Sequence, residues 1–359
     1  MKRFYAVIAV TLLFGLCMLA LGVRMAHSEG QTTPGAAQVH MVITDQAFNE
    51  SSEVPALRSE DLQVKVGKNK TKVEQLIPAQ GDNAALQLFV LIDDTCDTQG
   101  LGNNLTDLRE FVSAQPASTL VGIGYMSNAT IQVAQNLTTD HGLAAKALRL
   151  PRGTASSMDS PYLSLVSLVK SWPEQKVRRE VLMVTDGIDR LRGDTSPYGP
   201  SGAPGMYGPP GVPGMYGPPG APGLSPGPSA ITTLPTIPMD ANTASEISQR
   251  YGVIVHSIYA TGVGRAARNG WEAQLGQSGV AKITDETGGE YFSLGTQNVV
   301  SFKPYLDRLQ KVFNNQYYLV FRVTPEKKKG RLQRVRISSE VANADIASAD
   351  NVWVPGVGG

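Results

Sequence analysis

The chain is predicted to fold as an α/β protein: a doubly wound, mainly parallel sheet, with a small β-module built from strands near its two ends. Three observations predict this. First, Leu86-Gln87-Leu88-Phe89-Val90-Leu91-Ile92 and Glu180-Val181-Leu182-Met183-Val184-Thr185 are apolar runs of strand length that do not alternate with polar residues. Such runs fit strands buried on both faces of a parallel sheet. Second, strand-like and helix-like stretches alternate from Leu86 to about Asn314, as successive βα units do. Third, the segments outside that region alternate apolar and polar residues, as strands with one wet face do.

In chain order, Val39–Thr44 reads as a strand. Residues 61–77 read as a hairpin, with Asp61–Val66 and Thr71–Ile77 as its arms and Gly67-Lys68-Asn69-Lys70 as the turn. Strands follow at 86–92, 119–125, 129–133, 179–185, 253–259 and 289–293. The 129–133 segment is linked to its predecessor as a hairpin and would form an antiparallel edge. Helices are expected near 104–114, 140–148, 160–172, 240–251, 279–287 and 298–314. Asp240 is placed to cap one of them and Gly252 to end it. The tail returns to strands at 317–323 and 332–338. Lys327-Lys328-Lys329-Gly330 joins them as a solvated turn.

With 359 residues the chain can hold more than one domain and a sizeable core. A net charge of +1 argues against a nucleic-acid binder, which carries a basic face. Residues 1–28 read as an export signal: Lys2 and Arg3 precede an uncharged stretch from Ala6 to Val23, and Ala26-His27-Ser28 offers a cleavage site. The apolar stretch is nearly long enough to span a bilayer, so a retained N-terminal anchor is the other reading. Either way the expected location is extracytoplasmic: periplasm, cell surface or secreted. Residues 29–38 form a polar leader, 39–80 the N-terminal strands, 84–316 the α/β domain and 317–354 the C-terminal strands. Cys96 is the one cysteine expected in the mature chain, which excludes an internal disulfide framework.

Within the α/β domain, residues 190–238 form a Gly/Pro-rich insertion. Glycine recurs at every third position from Gly199 to Gly223, and Pro-Gly-Met-Tyr-Gly-Pro-Pro-Gly occurs at 204–211 and again at 213–220. A strict period of three is the collagen signature. A rod over 199–223 would span about 75 Å, and the spacers that must return to one domain reach about 85 Å when taut. A polyproline-rich loop is therefore the expected form. Its Tyr198, Tyr207, Tyr216, Met206 and Met215 offer contact groups for a partner.

Ligands of open α/β sheets bind beyond the carboxyl ends of the strands. Both apolar runs stop there at a carboxylate, the first at Asp93-Asp94-Thr95-Cys96-Asp97 and the second at Asp186. Arg152-Gly153-Thr154 lies between them, ahead of the 160–172 helix. Asp93, Thr95, Asp97, Thr154 and Asp186 could converge on one point, and such oxygen donors suit a hard divalent cation. The pattern resembles the metal-ion-dependent adhesion site of von Willebrand factor type A domains, written D-x-S-x-S, then Thr, then Asp before Gly. Asp93, Thr154 and Asp186 match it. Thr95 replaces the first Ser and keeps a hydroxyl; Asp97 replaces the second and adds a charge, which favours Ca²⁺ over Mg²⁺.

The layout of the chain over about 38–354 is also similar to the secreted "VWFA-related" proteins found mostly in Acidobacteria. Leu57-Arg58-Ser59-Glu60-Asp61-Leu62-Gln63-Val64 and Asp285-Glu286-Thr287-Gly288-Gly289-Glu290-Tyr291-Phe292 support this. The resemblance implies a Rossmann-type sheet and a non-enzymatic protein that binds a protein or other macromolecular ligand, through a cation (Ca²⁺ or Mg²⁺) if the site is intact. Two alternatives stay open. The aspartates could instead cap loops and bind nothing, and the Gly-Pro segment could drive assembly of a structural oligomer. There is no H-E-x-x-H and no G-x-S-x-G elbow or phosphate-binding loop following a strand, so an enzyme is not expected.

Overall fold

The computed structural model describes residues 36–47, 54–173, 177–191, 239–264, 268–293 and 300–357. The expected export signal and most of the Gly/Pro-rich insertion lie outside these residues. The strands are β1 Ala37–Asp45, β2 Leu62–Val66, β3 Asn69–Thr71, β4 Val73–Pro78, β5 Leu86–Asp93, β6 Thr119–Ser127, β7 Thr130–Thr138, β8 Arg178–Thr185, β9 Val253–Tyr259, β10 Tyr291–Phe292, β11 Gln316–Val323, β12 Arg331–Ser339, β13 Ile346–Ser348 and β14 Asn351–Val354. The helices are α1 Thr98–Gly102, α2 Leu105–Ser113, α3 His141–Ala147, α4 Pro161–Ser171, α5 Met239–Arg250, α6 Gly270–Thr287 and α7 Lys303–Asn314.

The central sheet has the order β10-β9-β8-β5-β6-β7. All its pairs are parallel except β6–β7. The two apolar runs are its interior neighbours, with Val90 opposite Leu182. Every residue of β5 and β8 is buried, because helices cover both faces. Leu86, Leu88, Val90 and Ile92 pack with Leu108 of α2, Ala144 of α3 and Leu309 of α7. The odd-numbered Phe89 and Leu91 point the other way, toward Leu165 of α4, Ala244 of α5 and Val280 of α6. A period of two along each strand thus serves two separate cores, and the doubly wound α/β class is as expected.

The terminal strands form two four-stranded sheets, β13-β1-β11-β4 and β14-β12-β2-β3. Val39, Ile43, Val64, Val66, Leu319, Phe321, Val335 and Val354 share one core between them. Here the expected 61–77 hairpin needs correction. β2 pairs with β3, but β4 leaves that sheet and pairs with β11. The chain crosses at Lys72, where the Thr71 hydroxyl donates to the Arg322 carbonyl. Alternation fixes which side chains face inward; it is silent on which of two facing sheets takes the strand.

Other boundaries moved for local reasons. The antiparallel edge strand runs on to Thr138. The 279–287 helix begins earlier, at Gly270, capped by the Asn269 side chain on the Trp271 N–H. The 298–314 helix begins at Lys303, with Pro304 in its first turn. At the amino edge of the sheet, buried Arg178 donates to the Phe313 and Ala84 carbonyls and to Gln316 Oε1 at 2.7–2.8 Å. One side chain there satisfies three acceptors, from the two segments that join the central sheet to the terminal sheets.

Candidate functional site

The site lies at the carboxyl ends of β5 and β8. Asp93 is 3% exposed. Its Oδ1 accepts the Thr95 N–H at 3.0 Å and the Thr95 hydroxyl at 2.8 Å. Its Oδ2 accepts the Thr185 hydroxyl, from the neighbouring strand, at 2.7 Å. The Thr185 oxygen in turn accepts the Gly187 N–H at 3.0 Å. Burial, and next the negative charge of Asp186, push the Asp93 carboxyl up to about 6; Arg190, Thr185 and Thr95 pull against that rise.

After Asp186 the chain doubles back. Gly187 sits in the left-handed region at φ 71°, and a Cβ there would run into the Gly276 carbonyl of α6. The turn lets Asp186 Oδ1 accept the Ile188 N–H at 2.9 Å. It also brings Arg190 back over Asp186, with Nη2 to Oδ2 at 2.6 Å. Both side chains are buried, at 7% and 1% exposure. The Arg190 and Leu191 N–H groups donate to the Asp159 carbonyl at 2.9 and 3.0 Å, which fixes the turn. On the far side, Gly262 leaves room: a Cβ there would collide with Asp186 Oδ2 and lie 2.8 Å from Arg190 Nη2.

The other expected site residues have different positions. Asp97 caps α1, accepting the Gly100 N–H at 2.8 Å. Thr154 is exposed on the second loop. That loop is bound to the first through Asp94, which the sequence reading did not place among the site residues. The Asp94 carboxylate accepts Arg149 Nη1 and Nη2 at 2.7 and 3.1 Å and the Arg152 N–H at 2.9 Å. Its backbone carbonyl accepts the Gly153 N–H at 3.0 Å. Arg149 also lies over the Tyr125 ring, 3.7 Å from its centroid. A third loop joins through Asp97 N–H to the Thr261 carbonyl at 2.8 Å and Val263 N–H to the Thr95 carbonyl at 2.9 Å. Cys96 is fully buried between these loops, and burial, followed by the Asp93 charge, raises its thiol well above the ordinary range. A reactive thiolate is therefore disfavoured.

The fold thus brings Asp93, Thr95 and Asp186 together, turns Asp97 to a helix cap and leaves Thr154 in solvent. As arranged, this donor set does not fit a divalent cation: Asp186 is held by a buried guanidinium, Asp97 serves a helix N-terminus and Thr154 is exposed on the second loop. Among the described residues, no group of three or more His, Cys, Asp or Glu side chains is placed to hold a metal ion. Arg190 and Thr185, which bond directly to Asp186 and Asp93, are the residues of this site that the sequence reading missed. The available signal was an arginine four residues after a strand-end Asp-Gly.

No family model matches the chain. No curated protein matches it. Among solved structures, it is similar to an aerotolerance-related membrane protein from Bacteroides fragilis, at 12% identity and TM-score 0.37, covering 64% of this chain and 99% of that one. It is also similar to the SpRpn10 VWA domain, at 10% identity and TM-score 0.34, covering 62% and 95%. A third is the human COPII-coat protein Sec24c, at 8% identity and TM-score 0.39, covering 76% and 44%. Likeness at this level carries no functional inference.

Proposed function

We propose that this chain is an exported, non-enzymatic binding protein that engages a macromolecular partner at the carboxyl edge of its central sheet, through a degenerate adhesion-type site. One observation carries the reading: three loops at this edge, two from strand ends and one between helices, are cross-tied into a single surface. Asp94 joins the first loop to the second, and the Asp97–Thr261 and Thr95–Val263 bonds join the first to the third. A surface ordered before binding loses less entropy on association. On its rim stand exposed Thr154 and Met158, the latter 54% exposed, with the half-exposed guanidinium of Arg152. The Gly/Pro-rich insertion, 190–238, begins at this same edge, where the Arg190 and Leu191 N–H groups are tied to the Asp159 carbonyl. Export rests on the N-terminal segment of the sequence.

The test is capture from envelope extract with the immobilised mature protein, beside Thr154→Arg and Met158→Glu variants. The reading expects a saturable partner retained by the wild type and lost by both variants. Equal capture by all three would place binding elsewhere. The alternative, assembly through the Gly-x-x segment, is supported by its strict period. It predicts a trimer in sedimentation that disappears when 199–223 is deleted.

A further inference from the structure

We propose that the Arg190 guanidinium is a built-in cation: it fills the place between the strand-end aspartates that a divalent ion would otherwise take, and makes this edge independent of divalent cations. The inference concerns the same site as the binding reading, but it stands or falls without a partner.

Four observations support it. The guanidinium is buried and lies against Asp186 in near-bidentate fashion, with Nη2–Oδ2 at 2.6 Å and Nη1–Oδ1 at 3.5 Å. Nη1 also donates to the Ile188 carbonyl at 3.3 Å, so the side chain is held at both ends of its fork. Arg190 is reached by a turn that has its own fixings, the left-handed Gly187 and the Asp159 carbonyl, and not by a long exposed side chain folding down by chance. Gly262 supplies the space, since any larger residue would displace the pair. Finally, two of the oxygen groups that could join an ion's shell are already engaged within the protein. The Thr185 oxygen accepts from Gly187 and donates to Asp93, and Asp97 serves the helix cap.

The charge balance agrees. Asp93 and Asp186 bring two carboxylates into a dry site, and one guanidinium attracts both. A hard ion would need to displace it and recruit water or hydroxyl oxygens in its place. A permanently charged arginine offers no open coordination position, so a partner's carboxylate cannot enter the site as a metal ligand. Recognition is left to the outer rim of Arg152, Thr154 and Met158.

The experiment is calorimetric titration of Ca²⁺, Mg²⁺ and Mn²⁺ into the mature wild type, with thermal melting of the wild type, Arg190→Ala and the Arg190→Ala/Asp186→Asn double variant. The expected result is flat wild-type titrations and a melting temperature that EDTA does not move. In Arg190→Ala, millimolar Ca²⁺ or Mn²⁺ should raise the melting temperature by about 3–5 °C, and the double variant should lose that rise. Should Arg190→Ala not fold, Arg190→Gln carries the same comparison. One-site binding to the wild type that is lost in Asp186→Asn would overturn the proposal. So would a single variant that no cation stabilises, because the guanidinium would then fill no cation's place. Capture of a partner is not a readout here, so failure of the binding reading leaves this result interpretable.

Discussion

Two aspartate–arginine pairs stand at the ends of adjacent strands, and they do different work. Asp94, at the end of β5, is buried, but its arginines reach it from solvent: Arg149 and Arg152 are 40% and 60% exposed. Asp186, at the end of β8, is paired with an arginine that is itself buried. The chemistry is the same and the solvation is not. In the first pair water screens the charges, and the guanidinium groups act as a clasp that joins two loops. In the second, neither charge has water to fall back on, so the pair is obligatory once both groups are inside. The first suits a surface that meets a partner; the second suits a fixed internal charge.

The largest expected effect comes from breaking the buried pair. Arg190→Ala should cost about 3–5 kcal/mol in urea unfolding, because it strands Asp186 beside Asp93. Adding Asp186→Ala should recover part of that loss, since the stranded charge goes too. A cost under about 1 kcal/mol would mean that the two pairs are alike after all.

Next is a pH effect in the same turn. Burial, then the nearby Asp240, push the half-buried Asp189 from 3.8 up to about 6. Between those values the folded chain holds a proton that the unfolded chain has released. Stability therefore falls as pH rises through this window, with the full penalty present above about 6. Asp189→Asn cannot ionise, so its advantage over the wild type should grow from pH 4 to pH 7 and reach about 1–2 kcal/mol, discounted for partial solvent screening. Asp93 contributes to both proteins and drops out of the difference. A difference curve flat in pH would remove the assigned cause.

Smaller effects are expected at the solvent-facing pair. Arg149→Ala removes two charge-assisted bonds and the contact with Tyr125, and should cost about 1–2 kcal/mol. Arg152→Ala keeps the backbone bond to Asp94 and should cost under about 1 kcal/mol. Equal costs would show that exposure does not rank these arginines. The smallest effect belongs to the insertion. Deleting 199–223 should change stability by less than about 1 kcal/mol, because closure entropy depends only weakly on loop length. Loss of folding would show that the insertion packs on the site.

Much of the fold was legible because it rests on local periodicity. Unbroken apolar runs meant strands covered on both faces, and β5 and β8 are the fully buried interior pair. Alternation marked the terminal strands, and the tail did join the N-terminal segments in one β-module. The strand-end position of Asp93 and Asp186 followed from the same runs. Less was legible where neighbours far apart in sequence decide. The crossing of β4 to the second sheet depends on the free edge of β11. The start of α6 at Gly270 depends on Gly276 and Gly279, which favour other structures locally but allow close approach to Gly187 and Tyr162. Asp97 caps a helix, a role that Asp before a short polar-glycine turn signals; the adhesion pattern gave it as a metal ligand instead.

The sequence by itself determined the layers, the two interior strands and the edge at which their carboxylates gather, because burial on one or both faces leaves its period in the chain. The tertiary structure alone decided which charges meet there. Whether an arginine lies in water over Asp94 or sealed against Asp186 depends on a left-handed glycine, a carbonyl from another loop and the missing side chain at Gly262. Those are matters of space and solvation, and a pattern of residue types along one chain does not carry them.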